Sequence, residues 1–177
     1  MVEKIESKKL SPDMRLLDLE DIEKTTSRLI QKKTYGEKPS KSTKSIFKKN
    51  DVLYGKLRPY LDKVLVAEEN GVCTTEIIPI RIYTGINPFY LRWFLKNPSF
   101  ITHVNDLTYG VKMPRLGTDD AKKTIFALPP LPEQIRIVEK VDQLMKLCDE
   151  LEEKVKENQK NSELLMEAVL REAFESA

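Results

Sequence analysis

Leu128-Pro129-Pro130-Leu131-Pro132-Glu133-Gln134 is the stretch that divides this chain. Each proline holds its own φ near about −65° and pushes the residue before it out of the α region, so the segment begins as an extended rod. Pro132 suits the first turn of a helix, where a missing N–H costs nothing, and Glu133 lies near the positive end of the helix dipole. From there to Phe174 the chain contains neither glycine nor proline. The pattern predicts one helix of roughly 43 residues, about 64 Å long at 1.5 Å per residue.

The apolar residues of that helix repeat every seven positions. Val141, Cys148, Val155, Ser162 and Val169 lie on one line, and Ile137, Leu144, Leu151, Asn158 and Leu165 on the other. These are the a and d positions of a coiled coil, with Glu and Lys on most flanks. So narrow a stripe cannot be buried by its own helix, and no second long helix is written in the chain. The spacing therefore predicts a partner helix from another polypeptide. Asn158 and Ser162 are polar seam positions that set register and orientation at some cost in stability. Cys148 reads as a small apolar seam residue rather than a redox centre.

Composition and charge bound the rest. The 177 residues are 33% charged and 40% hydrophobic, an ordinary globular balance that suggests one domain, 1–130, and an appendage, 131–177. No apolar run is long enough to span a membrane. The start, MVEKIESKKLSPD, lacks the apolar stretch of a secretory signal, which predicts a cytoplasmic protein. The overall charge of +2 divides unevenly: residues 131–177 hold 7 Lys+Arg against 12 Asp+Glu, and residues 1–130 hold 23 against 16. Within 28–63 the ratio reaches 11 basic to 3 acidic residues. A basic block followed by an acidic tail predicts a polyanion partner for the first part only, against the plainer reading of a solvated lysine-rich face.

Catalytic and metal chemistry find little support. Cys73 and Cys148 are too far apart in sequence for a CxxC site, and His103 is the only histidine. No metal site is expected. Asn97-Pro98-Ser99-Phe100 resembles the Asn-Pro-Pro-Phe/Tyr loop of amino-methyltransferases, but its third residue is Ser and no glycine-rich turn is present to cradle a nucleotide. It reads better as an asparagine cap with proline in the first helical turn. The chain is read as non-catalytic.

Residues 1–130 predict a mixed α and β globule. A turn at Phe47–Asp51 precedes the apolar run Val52–Gly55; strands are expected at Lys63–Ala67 and, after the Glu69-Asn70-Gly71 turn, at Val72–Tyr83. Helices should start at Asn87-Pro88 and cover Ser99–Val104, and a last strand should run from Lys122 to Leu128. Two loops carry the right chemistry for a phosphate backbone. In Asp51–Lys63, Lys56, Arg58 and Lys63 alternate with Tyr54 and Tyr60 beside Gly55 and Pro59; in Thr108–Gly117, Lys112 and Arg115 repeat the logic.

Four stretches together resemble one family. DVLYGKLRPYLDKV, GVCTTEIIPIR, YGVKMPRL and LPPLPEQIRIVEKVDQL, in that order, are similar to the successive signatures of the specificity subunits of type I restriction-modification enzymes. The resemblance runs from about Leu17 to Phe174. Such subunits carry two target recognition domains, each followed by a conserved helix; this chain has one of each, which implies either a half-size subunit or part of a longer one. The resemblance further implies an α/β (α+β) recognition domain reading one half of a split double-stranded DNA target. It implies a long C-terminal helix in an antiparallel coiled coil, docking methyltransferase subunits and, through them, a restriction subunit. No cofactor is expected on this chain; S-adenosylmethionine, ATP and Mg belong to the companion subunits. With one helix per chain, a homodimer is the natural assembly, and its target an inverted repeat.

Motifs shared by members with different targets cannot select the bases. Lys48, Lys56, Arg58, Tyr60, Lys63, Lys112 and Arg115 are therefore expected at phosphates or in the scaffold. Base readers are expected in Arg28–Lys48, with Gln31, Lys32, Tyr35 and Lys41 as candidates, and around Asn105, Thr108 and Tyr109. Thr74, Thr75 and Glu76 should stabilise a strand end. The competing reading is a coiled-coil interaction module, or decoy, that holds the methyltransferase without reading DNA.

Overall fold

The structure, a computed structural model, describes residues 3–175. The chain divides into two compact units, one ending at Ile135 and the other beginning at Arg136.

The first unit is built on two sheets. Strands β1 (Lys4–Ile5), β2 (Arg15–Leu17), β3 (Lys33–Thr34), β4 (Lys44–Phe47) and β7 (Gly71–Cys73) form a sheet in the order β1-β4-β7-β2-β3, in which only the β2–β7 pair is parallel. Strands β5 (Val52–Gly55), β6 (Val64–Val66) and β8 (Ile77–Ile80) form an antiparallel sheet with β5 in the middle. β5 explains its unbroken apolar run. Leu53 faces one core with Leu17, Phe47, Cys73 and Ile77, while Val52 and Tyr54 face a second core with Leu91, Leu95, Val104 and Leu116. A strand buried on both faces has no polar side to alternate with. At Gly71 a Cβ would lie 2.7 Å from the Arg15 carbonyl oxygen and 2.6 Å from Phe47, so the central strand of the first sheet closes only around glycine.

Helices α1 (Pro88–Leu95) and α2 (Pro98–Asp106) supply the second core. Each begins as the Asn-Pro pairs foretell: the Asn87 side chain accepts from the Phe89 and Tyr90 N–H groups, and that of Asn97 from Ser99 N–H. Asn97-Pro98-Ser99-Phe100 is thus a helix start, and Phe100 packs edge-on against Tyr54 and Phe94.

Two expected strands are corrected. Val72–Tyr83 is not one strand: the chain turns at Thr74-Thr75-Glu76, with Ile77 N–H donating to the Thr74 carbonyl at 3.1 Å, and β7 and β8 enter different sheets. Lys122–Leu128 is no strand either. Thr118–Lys123 forms helix α3, favoured by Asp119 and Asp120 in its first turn and by Lys122 and Lys123 in its last. The segment after it is extended without a ladder, held by Phe126 against Phe94 and by the Tyr90 hydroxyl donating to the Ala127 carbonyl at 2.8 Å.

Helix α4 spans Leu131–Glu175, 45 residues without interruption. In the second unit its seam is exposed from Leu144 onward, including Cys148, Leu151, Val155, Asn158, Leu165 and Val169. The pairing of that seam with another helix stays an expectation. No helix among the described residues is long and apolar enough to cross a membrane.

Candidate nucleic-acid interface

Three sequence-distant segments meet at one place. The hairpin of β9 (Thr108–Tyr109) and β10 (Arg115–Leu116) turns at Gly110, whose φ of +93° suits glycine. Arg58 pins its tip, donating from its backbone N–H to the Pro114 carbonyl at 2.7 Å and from Nη2 to the Lys112 carbonyl at 3.3 Å. Leu116 N–H donates to the Lys56 carbonyl at 3.0 Å, and Lys56 N–H to the Glu76 carbonyl at 2.9 Å. The Glu76 carboxylate closes the ring by accepting from Arg115 Nε at 3.1 Å. Lys56, Arg58, Glu76, Lys112 and Arg115 are thereby joined.

The 55–63 segment is rigid in its own right. A Cβ on Gly55 would lie 2.8 Å from Leu19 and 3.3 Å from the Lys63 carbonyl. Arg58 and Asp62 both adopt left-handed backbone around the single turn Pro59–Leu61. That conformation disfavours side chains and must be held by its surroundings. Lys96, at the end of α1, does the holding: its ammonium donates to the Asp62 carboxylate, to Ser27 Oγ at 3.0 Å and to the Thr25 carbonyl at 2.7 Å. Ser27 Oγ in turn donates to the Asp62 carbonyl at 2.6 Å and accepts from Val64 N–H. Burial raises the Asp62 carboxyl and lowers the Lys96 ammonium, while their mutual attraction opposes both shifts.

The expected phosphate residues therefore separate by accessibility. Lys48 and Lys112 are exposed, Lys56 is half-buried, and Tyr60 is exposed on its short turn. Arg58 and Arg115 are engaged in the ring. Lys63 donates to the Leu19 carbonyl at 2.8 Å, and burial lowers its pKa. At the hairpin tip Val111 is wholly exposed, with Tyr109 and Met113 beside it.

Residues expected to read bases fall into two groups. Gln31 donates to the buried Asp21 carboxylate at 3.1 Å, alongside Lys33. Burial by itself raises the Asp21 carboxyl; hydrogen bonds from Lys33, Asp18 N–H and Gln31 outweigh it and leave the pKa lowered. The Tyr35 hydroxyl donates to the Ser40 carbonyl and shapes the 35–40 loop, and Lys32 pairs with Glu68 at 3.0 Å. Lys41, next after Ser40 in the same loop, is exposed. Asn105 is half-buried, its carbonyl accepting from Thr108 Oγ1 at 2.8 Å, and Tyr109 is exposed. Lys32 and Lys48 line a cleft of about 730 Å³ with Arg15, Lys33 and Glu69. A second cleft, of about 480 Å³, lies between Lys38, Arg58, Lys63, Glu76 and Met113.

Sequence reasoning missed Lys96 and Gln134. Gln134 is fully buried; its amide donates to the Gly85 and Pro129 carbonyls and accepts from Asn87 N–H. Among the described residues, no group of three or more His, Cys, Asp or Glu is placed to hold a metal ion. Cys73 is buried and its thiol is pushed up to about 12 by burial, which keeps it protonated and unreactive.

Residues 4–160 match the model of the type I restriction modification DNA specificity domain. The chain belongs to that family. It is 32% identical over 133 residues to the type I restriction enzyme EcoDI specificity subunit of Escherichia coli, an alignment covering 75% of this chain and 30% of that protein. Its fold is similar to the HsdS subunit of Thermoanaerobacter tengcongensis, with a TM-score of 0.78 and 28% identity over 94% of this chain and 44% of that one. A chain from structural work on complex assembly and conformational transition of the type I R-M system gives a TM-score of 0.82 at 28% identity, covering 98% of this chain and 46% of that one. The chain thus spans less than half the length of each. The specificity-domain family accounts for the mixed sheet-and-helix globule with a long C-terminal helix.

Proposed function

We propose that this chain is the non-catalytic DNA specificity component of a type I restriction-modification system, and that its globule reads one half-site of a bipartite target. The observation that carries the reading is the ring of family signatures around Arg58, which holds a hairpin rigid while leaving Lys112 and Tyr109 in solvent. A rigid loop with exposed cationic and aromatic side chains suits a duplex backbone, because the ordering cost is met on folding rather than on binding.

In this account Lys48, Lys56 and Lys112 neutralise phosphates, with Tyr60 beside them. Arg58, Arg115 and Lys63 position that surface rather than touch DNA. Base edges are read by the 36–43 loop, with Lys41 on it and Tyr35 shaping it, and by Tyr109. Gln31 and Lys32 brace the loop's approach, and Asn105 and Thr108 the hairpin's. Helix α4 pairs antiparallel with a second copy and docks methyltransferase subunits, which bring S-adenosylmethionine chemistry; a restriction subunit joins through them with ATP and Mg.

The test is binding of labelled duplex DNA by the chain with its methyltransferase subunits, titrated with salt. Phosphate neutralisation requires log K to fall linearly with log salt. Complex assembly without measurable, salt-dependent DNA binding would instead identify an interaction module.

A further inference from the structure

The seam of α4 changes character along its length. Ile137 and Val141 are half-buried within one chain, whereas every seam residue from Leu144 to Val169 is exposed. Met145, Leu147 and Met166 extend the exposed apolar face to its flanks.

We propose that this exposed stretch docks a second copy of the chain in one antiparallel register. Leu144 then lies opposite the partner's Val169, Cys148 opposite the partner's Leu165, Leu151 opposite the partner's Ser162, and Val155 opposite the partner's Asn158. The inference rests on the proposed homodimer and adds its register.

Orientation follows from the flanks. In a parallel pair, Leu147 would lie beside the partner's Glu152 and Met145 beside the partner's Lys140, setting apolar flanks against charge. The antiparallel register sets Met145 beside the partner's Met166 and Leu147 beside the partner's Ala168, apolar on apolar. No flanking pair in it joins like charges.

The register follows from the exposed seam being its own complement, since its first residue meets the partner's last. Sliding one copy a heptad toward its N-terminus brings Glu152 against the partner's Glu152 and Lys154 against the partner's Lys154. Sliding it the other way sets Cys148 opposite the partner's Glu172. The polar seam residues fit the proposed register as well. Ser162 Oγ already donates to the Asn158 carbonyl at 2.8 Å, so covering it with leucine leaves no donor unmet. The two Asn158 side chains fall in adjacent central layers about 4.5 Å apart along the axis, within reach of each other's amides. A polar pair at that place specifies one register. The two-fold axis passes between Lys156 and Glu157, and the two Arg136 residues stand about 60 Å apart along the pair.

Cys148 is a built-in reporter. In the full-length chain, Leu165→Cys places a second thiol opposite it, Asn158→Cys and Glu172→Cys report the registers one heptad to either side, and the unmodified chain reports a parallel pair. A disulfide needs Cα atoms about 4.4–6.8 Å apart, so neighbouring registers cannot substitute for one another. Mild oxidation followed by a non-reducing gel should give interchain dimer in Leu165→Cys at least about tenfold above the other three. Leu144→Cys with Val169→Cys, in a Cys148→Ser chain, tests the same register at its ends, in case Leu165→Cys weakens the pair. Preferential crosslinking through Asn158→Cys, Glu172→Cys or the unmodified chain would overturn the register. So would a chain that sediments as a dimer when reduced yet crosslinks in neither designed pair. A chain that sediments as a monomer refutes the docking of a second copy itself, and DNA binding by the globule is then judged separately by its salt dependence.

Discussion

Gln134 Oε1 accepts the Asn87 N–H at 2.8 Å across 47 residues of sequence, and its amide nitrogen donates to the carbonyls of Gly85 and Pro129. One fully buried side chain therefore satisfies three backbone groups where the proline rod turns into helix. Gln134→Leu keeps the volume and orphans all three. With each unmet buried group costing about 1–3 kcal/mol, the globule should lose about 3 kcal/mol. Urea unfolding checks this; a loss below about 1 kcal/mol would mean that water replaces the amide.

The Asp62–Lys96 pair should behave asymmetrically. Both residues are partly buried, with side chains only 13% and 8% exposed. Lys96→Met leaves a buried carboxylate without its partner and should cost about 3–5 kcal/mol, whereas replacing both, Asp62→Leu with Lys96→Met, should cost much less. Additive losses in a double-mutant cycle would contradict the coupling.

Asp21 predicts an acid dependence. Its folded-state pKa lies below the ordinary value of 3.8, so the stability it contributes is present above that value and is lost as pH falls through the folded pKa. Asp21→Asn should therefore be destabilised at pH 7, by about 2 kcal/mol for its charge-assisted hydrogen bonds, and approach the unmodified chain as the pH falls through the folded-state pKa, below the ordinary carboxylate value. Unfolding midpoints measured across that range check the sign; a difference that grows toward acid would reverse it.

These residues also mark what the sequence made legible. Helix α4 was readable because a seven-residue period needs no tertiary information, and β5 because burial on both faces leaves an unbroken apolar run. Asn87 and Asn97 announced their helices through local capping. The break between β7 and β8 was hidden because Thr74-Thr75-Glu76 holds neither glycine nor proline, and Thr is a strand former. Helix α3 did carry a signal, acidic residues first and basic residues last, that the following β-branched residues outweighed. The ring joining Lys56, Glu76 and Arg115 and the Lys96 brace were beyond reach, since each rests on pairings between elements that only the folded topology brings together. Arg58 shows the consequence: as a sequence it reads equally as a phosphate ligand or a scaffold residue, and only the fold shows it holding a hairpin.

That distinction is itself testable. Lys112→Ala removes an exposed charge and should weaken DNA binding while lowering the salt slope by about 0.9, the signature of one lost phosphate contact, with stability unchanged. Arg58→Ala should instead lower the stability of the hairpin, seen as faster amide exchange at Leu116. If Arg58→Ala reduces the slope and leaves exchange alone, the arginine contacts DNA directly.

Sequence selection by the globule, as proposed, is decided by enrichment from randomised duplexes. The chain, assembled with its methyltransferase subunits, should enrich one gapped motif whose two halves are inverted copies separated by an unselected spacer. Recovery of DNA with no preferred sequence, from a complex that is fully assembled, would mean that the globule does not read bases.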